Sequence, residues 1–269
     1  MKQSSEEKLT RLQQLLKDLK SCAIAYSGGV DSTFLIKVAY DTLGKNALAV
    51  TATSSTYPKK ELDEAKQYAQ EIGIPHLIIR SEELDIPNFS DNPPDRCYYC
   101  KKELFQKIRQ VAQQHHLSTV LDGSNADDTA DYRPGARARD ELGVRSPLKE
   151  VGLTKQEIRT LSSRMQLKSS EKPAFACLAS RFPYGMKITK ERLRQVELAE
   201  EYLFSLGLRQ CRVRYHDHIA RIEVPPEEFP LIHTHAKKII KRFKTLGFTY
   251  ITLDLEGYRT GSMNEVLDT

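Results

Sequence analysis

The chain has 269 residues, 39% of them hydrophobic and 29% charged, which is enough apolar material for a packed core and excludes disorder over most of the length. Lys and Arg number 41 against 36 Asp and Glu, a formal net charge of +5 that suits an anionic small molecule and falls short of a nucleic-acid footprint. No apolar run approaches the roughly 20 residues that cross a bilayer, and the opening MKQSSEEKLTR has no apolar stretch of the secretory kind, so no membrane or export signal is expected. Five Cys in so long a chain, without regular spacing, argue against a disulfide scaffold and for a reducing, cytoplasmic setting, where thiols serve metals or catalysis.

Residues 5–20 place Leu9, Leu12, Leu15, Leu16 and Leu19 on one helical stripe, opened by a capping-box signal in Ser4 and Glu7. Residues 22–26 read as a short apolar strand. It runs into Ser27-Gly28-Gly29-Val30-Asp31-Ser32 and then a helix carrying Phe34, Leu35, Val38 and Ala39. Further strands are expected over 47–53, 76–79 and 119–121, with helices over 59–72 and 96–115. This alternation predicts βαβ units around a parallel sheet flanked by helices, an α/β fold. A second capping box, Thr154 with Glu157, opens a helix over 155–164. Residues 170–188 are irregular, with Pro173, Pro183 and Gly185. Beyond them the pattern predicts helix (190–206), strand (211–216), a turn at His216-Asp217-His218, strand (219–224), helix (226–246) and strand (248–254). The expected division is an α/β domain over 1–186, with 170–186 as a catalytic connector, and a small α+β domain over 187–269 for substrate binding or oligomerisation.

A glycine pair between strand and helix lets the backbone turn tightly, and its N–H groups and the helix N-terminus then favour an anion. Ser27 and Ser32 add hydroxyl donors. Asp31 cannot face a phosphate directly, so it implies a bridging divalent cation. The Gly-Lys-Ser/Thr of a Walker A loop is missing from this stretch. Cys97 and Cys100 lie three apart at a helix start, on one face, where the first-turn dipole with Arg96, Lys101 and Lys102 favours thiolate. Two thiols complete neither a zinc site nor a cluster. Cys177, between Lys172 and Arg181, reads equally as a third reactive thiol or as a buried small hydrophobe. Cys22 and Cys211, each inside a strand, read as structural. His216 and His218 read as solvated turn residues, His115 and His116 as helix-end residues, and Tyr98 and Tyr99 as packing.

Ser-Gly-Gly-Val-Asp-Ser resembles the PP-loop of the ATP pyrophosphatase superfamily, whose members cleave ATP between the α- and β-phosphates and adenylate a substrate oxygen. Thr51-Ala52-Thr53 matches the position where such folds contact adenine. The segment 122–128, with Gly123 and Asp127, resembles the later Gly-x-Asn-x-Asp-Asp segment, and Ser146-Pro147-Leu148 the Pro-Leu segment. The resemblance implies phosphate binding by Ser27, Gly28, Gly29 and Ser32, an adenine contact near Thr53, and Mg2+ on Asp31 with acidic residues of 127–131. Two further stretches, Cys177 to Gly185 and Asn92 to Lys101, together make nearly the whole chain similar to the LarE family of ATP-dependent sulfur transferases. That resemblance implies conversion of the carboxylates of pyridinium-3,5-biscarboxylic acid mononucleotide to thiocarboxylates, for nickel-pincer nucleotide biosynthesis. One class of the family sacrifices the sulfur of a single cysteine, at the position of Cys177. Another carries a transferable sulfide on a [4Fe-4S] cluster held by three cysteines, which Cys97, Cys100 and Cys177 match. Arg181 is a candidate for holding phosphate or supporting the thiolate near Cys177. The resemblance further implies Arg212 and Arg214, alternate residues on one face of a strand, on the substrate phosphate, Glu200 and Glu223 on a second metal, and a homo-hexamer. A PP-loop tRNA thiolase is the rival, which the mild charge and the lack of Trp weigh against.

Overall fold

A computed structural model describes residues 3–129, 134–173, 176–259 and 261–267. They fall into two compact units, Met1–Glu82 with Asp95–Phe175, and Glu83–Pro94 with Ala176–Thr269.

In the first unit, α1 (Ser5–Leu19) and α7 (Lys155–Arg164) both begin with the reciprocal capping box expected of Ser4/Glu7 and Thr154/Glu157. The strands β1 (Cys22–Ala25), β2 (Ala47–Thr53), β3 (His76–Arg80) and β4 (Thr119–Leu121) form one parallel sheet in the order β3-β2-β1-β4. Its central strands are near-continuous apolar runs because both faces are covered. Cys22, Ile24, Ala47 and Ala49 pack toward Leu12, Leu16 and Phe34, on a core that includes α1 and α2 (Val30–Leu43). Ala23, Leu48 and Val50 point to the opposite core, with Phe105 and Ile108 of α4 (Arg96–Gln114). Helix α3 (Lys59–Ile72) ends on Gly73 in the left-handed region, φ 85°. Two further helices are α5 (Pro134–Glu141) and α6 (Pro147–Glu150). Sequence reading missed α5, whose one buried side chain is Ala138. A single apolar contact leaves too little periodic signal.

In the second unit, α8 (Lys190–Ser205) and α9 (Phe229–Thr245) accompany a sheet of order β5-β6-β7. β5 (Arg212–His216) and β6 (Ile219–Glu223) form an antiparallel hairpin, and β7 (Tyr250–Leu253) joins β6 in parallel. The hairpin turns at Asp217, φ 52°. Val196, Leu203, Val213, Ile222 and Phe243 are fully buried there.

The single cut expected near 186 falls inside this second unit, which takes in Cys177 and also an excursion of the chain over 83–94. Asn92, fully buried, donates through Nδ2 to the carbonyls of Phe182 (3.1 Å) and Pro183 (2.6 Å). The Gly185 N–H donates to the Asn92 carbonyl at 3.0 Å, and that of Ile188 to Ser90 at 2.7 Å. These bonds join residues 90 or more positions apart, so a linear reading of composition cannot see them. Replacing Asn92 by Ala strands buried carbonyls, and we expect a loss of about 1–3 kcal/mol in urea unfolding, with earlier proteolysis over 176–188.

Candidate active site

The carboxyl end of β1 leads into the glycine pair. Gly28 sits at φ 68°, and a Cβ there would lie 2.9 Å from the Cβ of Ala65 on α3, so only glycine fits. Gly29 is the extended N-cap of α2. The Ser32 hydroxyl, buried, lies 3.1 Å from that of Ser27 and accepts the Ser27 N–H at 3.3 Å. Gly123, after β4, comes so close to Ser32 that a Cβ would stand 3.1 Å from the Ser32 nitrogen. Its role in this structure is close packing of the later segment on the loop. Thr53 ends β2 with its carbonyl accepting from the Ser81 N–H at 2.9 Å.

Asp31, in the first turn of α2, accepts through Oδ2 from Lys155 Nζ at 2.7 Å and from Asn125 Nδ2 at 3.3 Å. Its Oδ1 is buried and has no hydrogen-bond partner among the described residues. Asp127 is engaged differently: its Oδ2 accepts the Lys155 backbone N–H at 2.8 Å, at the start of α7. Asp128 accepts the Asn125 N–H at 3.0 Å. Asp131, also in the expected acidic stretch, lies outside the described residues. Sequence reading missed Lys155, which brings a cation to the loop from 124 positions away. It also missed Lys172 as a loop neighbour, 3.3 Å from the Gly28 carbonyl. The proximity of Thr154-Lys155 to the Pro-Leu segment was the only signal for the first, and none marked the second.

Cys97 and Cys100 occupy the start of α4 as expected, Cys97 exposed and Cys100 half-buried. Tyr98 between them is a packing residue. Its hydroxyl donates to Glu141 at 2.7 Å, and the Arg137 guanidinium lies 3.6 Å over its ring. Cys22 and Cys211 are buried and structural; burial pushes the Cys22 thiol up to about 12 and raises that of Cys211 as well.

In the second unit Cys177 is a half-buried free thiol at the start of a short turn, 178–181. Ala174 and Phe175 lie outside the described residues. The Cys177 carbonyl accepts the Ser180 N–H at 3.0 Å and hydroxyl at 2.8 Å, and Arg181 Nη1 at 2.9 Å. Arg181 is 1% exposed, so it is no surface arginine. Nη1 also reaches the Ala176 carbonyl, and Nε and Nη2 form a fork onto Glu200, each at 2.9 Å. Arg181 therefore meets the Cys177 neighbourhood through backbone carbonyls. Arg212 and Arg214, alternate residues of β5, are each 5% exposed. Arg214 pairs with Glu223 at 2.6 Å and donates to the Ser180 carbonyl at 3.0 Å. Arg212 donates to the Cys211 carbonyl at 2.7 Å; burial and the charge of Arg181 lower its pKa. Glu200 and Glu223 thus both accept from guanidinium groups, Glu223 from Arg221 as well, at 3.1 Å. His216 is half-buried on β5, where burial and the neighbouring Arg221 and Arg214 lower its pKa, whereas His218 is exposed on the turn. Among the described residues no three His, Cys, Asp or Glu side chains come together as a metal-binding group.

No protein-family model matches the chain. An uncharacterized protein of Synechocystis sp. is 47% identical over 264 residues, 97% of this chain and 98% of that one. The pyridinium-3,5-bisthiocarboxylic acid mononucleotide synthase of Lactiplantibacillus plantarum is 39% identical over 261 residues, 97% of this chain and 95% of that one. The chain belongs to the LarE family. The tRNA-specific 2-thiouridylase MnmA of a Bradyrhizobium strain is 28% identical over 188 residues, 55% of this chain, which marks the wider PP-loop superfamily. As a LarE-type protein with a PP-loop, the chain is an ATP-dependent sulfur transferase. No helix among the described residues is long and apolar enough to cross a membrane.

The Arg181–Glu200 pair makes a pH prediction. Burial alone would raise the Glu200 carboxyl, but Arg181 outweighs it and holds the group below the usual carboxylate range. A lowered carboxyl contributes stability that is present above the unfolded pKa of about 4.3 and lost as pH falls through the folded value. Urea midpoints from pH 7 down to 3 should fall for the natural chain. Glu200→Gln should be less stable at pH 7, by about 3–5 kcal/mol, with a shallower acid limb.

Proposed function

We propose that this chain uses ATP to adenylate the carboxylates of pyridinium-3,5-biscarboxylic acid mononucleotide and replaces them with thiocarboxylates, a step of nickel-pincer nucleotide biosynthesis. The observation that carries the reading is the buried, unpartnered Oδ1 of Asp31 beside the glycine turn, in a LarE-family chain. Oδ2 is neutralised by Lys155, while Oδ1 is left for a hard cation such as Mg2+. When bound, that ion lowers the repulsion between substrate carboxylate and α-phosphate. Ser27, Gly28, Gly29 and Ser32 hold the leaving pyrophosphate, with Thr53 near the adenine, Gly123 keeping the later segment close and Asp127 fixing the start of α7 under Lys155. Carboxylate oxygen attacks the α-phosphorus, the bond to the β-phosphate oxygen breaks, and the acyl carbon becomes an electrophile.

Arg212 and Arg214 are the proposed holders of the substrate's phosphate. Arg181, Arg212 and Arg214 are buried beside the buried Glu200 and Glu223, three guanidinium groups to two carboxylates, and an anion would offset the difference. Glu200 and Glu223 are read as partners that aim these guanidinium groups, in place of the metal-ligand role expected of them. Arg181 is read as the positioning residue of the Cys177 turn.

For the sulfur source, Cys97, Cys100 and Cys177 fit the three-cysteine reading by donor chemistry: all three are cysteines with some exposure, the soft ligands an iron–sulfur cluster takes. A bound [4Fe-4S] cluster would supply the transferable sulfide. The second reading is sacrificial and is favoured by the half-exposed Cys177 in its own turn. Its thiolate attacks the acyl carbon and AMP leaves. Removal of the Cys177 α-proton then breaks the Cβ–S bond, releasing the thiocarboxylate and leaving dehydroalanine. A homo-hexamer and a cytoplasmic location complete the proposal and are supported by the family resemblance.

Two experiments test it. Substrate-dependent pyrophosphate release from Mg·ATP should occur with the natural chain and drop ~100-fold in Asp31→Asn; no release from the natural chain refutes adenylation. Oxygen-free reconstitution should give iron, acid-labile sulfide and broad visible absorption that is lost in Cys97→Ala, Cys100→Ala and Cys177→Ala. If those signals are missing and the Cys177 peptide becomes lighter by the elements of hydrogen sulfide after turnover, sacrifice is the mechanism.

A further inference from the structure

An anion-binding loop works only if its backbone N–H groups are turned toward the ligand. In a trans peptide each N–H points opposite to the carbonyl of the residue before it. The direction of the Gly28 N–H is therefore set by the Ser27 carbonyl, and that of Gly29 by the Gly28 carbonyl. Both carbonyls are tethered. The Tyr57 hydroxyl donates to the Ser27 carbonyl at 2.8 Å, and Lys172 Nζ donates to the Gly28 carbonyl at 3.3 Å. Neither the Gly28 nor the Gly29 N–H donates to any group among the described residues. The tethers thus hold back the oxygen end of two peptides whose nitrogen ends are unclaimed.

Lys172 is itself anchored on α3, the helix whose Ala65 blocks any side chain at position 28, and Tyr57 stands two residues before that helix. Lys172 Nζ lies 2.6 Å from carboxylate oxygens of both Glu61 and Glu64 and 5.6 Å over the Tyr68 ring, with its side chain 8% exposed. Burial opposes its charge, but the two carboxylates outweigh it and raise its pKa, so it remains an ammonium donor. Burial, together with nearby Glu61, raises the Tyr57 phenol, so it remains a hydroxyl donor. With both donors and its two glutamate anchors in place, Lys172 has no need of a phosphate to neutralise it. Its part is played from behind the loop.

We propose that Tyr57 and Lys172 are positioning residues for ATP, which aim the Gly28 and Gly29 N–H groups by holding the Ser27 and Gly28 carbonyls. The inference rests on the reading that this loop takes the nucleotide's phosphates. It assigns to one residue before α3 and one in the connector a role that motif reading gives to the loop alone.

The test is calorimetric titration of the full chain with Mg·ATP, alongside thermal melting and the KM and kcat of pyrophosphate release. Tyr57→Phe and Lys172→Met should each weaken ATP binding about 5–10-fold, the ordinary worth of one net hydrogen bond, and raise KM for ATP more than they lower kcat. Lys172→Arg should recover most of the loss. Folded variants that bind ATP as the natural chain does, whatever their melting temperature, overturn the inference and leave the loop's ligand unchallenged. A natural chain that binds no ATP overturns the loop reading and this inference with it. Should Lys172→Met fail to fold, Tyr57→Phe decides alone.

Discussion

The close approach of Gly28 to Ala65 is the constraint on which the rest of the first unit depends. A backbone at φ 68° with no room for a Cβ forces glycine, and glycine allows the turn that ends β1 and starts α2 within four residues. Once that corner is set, Ser32 and Ser27 face each other, Gly123 seats the β4 segment on Ser32, and Asp31 meets Asn125 and Lys155. Elements that are far apart in the chain converge on one corner because a parallel sheet brings its strand ends to one edge. Ligand chemistry follows from the geometry of a steric fit.

The second unit is organised by charge. Arg181 and Glu200 bury a forked ion pair, and Arg214 and Glu223 another. Such pairs gain little over apolar packing, but breaking one leaves an uncompensated buried charge. They hold three features in register: the turn that starts at Cys177, the β5 strand through the Val213 N–H on Glu200, and the residues near 262 through Arg214. The Cys177 carbonyl is thereby tied to Ser180 and Arg181. Arg212 stands in the same cluster, with burial and Arg181 both working against its charge.

Relatives at 47% and 39% identity extend over almost the whole chain, whereas the tRNA thiolase relative covers about half. A phosphate loop on a parallel sheet serves many acyl- and sulfur-transfer reactions, so likeness there identifies the ATP chemistry. Likeness that also runs through the Cys177 turn and the arginine strand identifies the family.

The sequence by itself determined the strand–helix alternation, both capping boxes, the glycine corner and the residue types at the thiol positions. These are local: each is written in periodicity, in cap chemistry or in a run of adjacent residues. Tertiary structure alone decided that 83–94 joins the Cys177 segment through Asn92, that α5 exists with a single buried Ala138, and that Lys155 and Lys172 stand at the loop. It also decided that Glu200 and Glu223 face guanidinium groups. Each of these depends on contacts between residues remote in the chain, and a side chain's partner across such a distance has no local pattern to announce it.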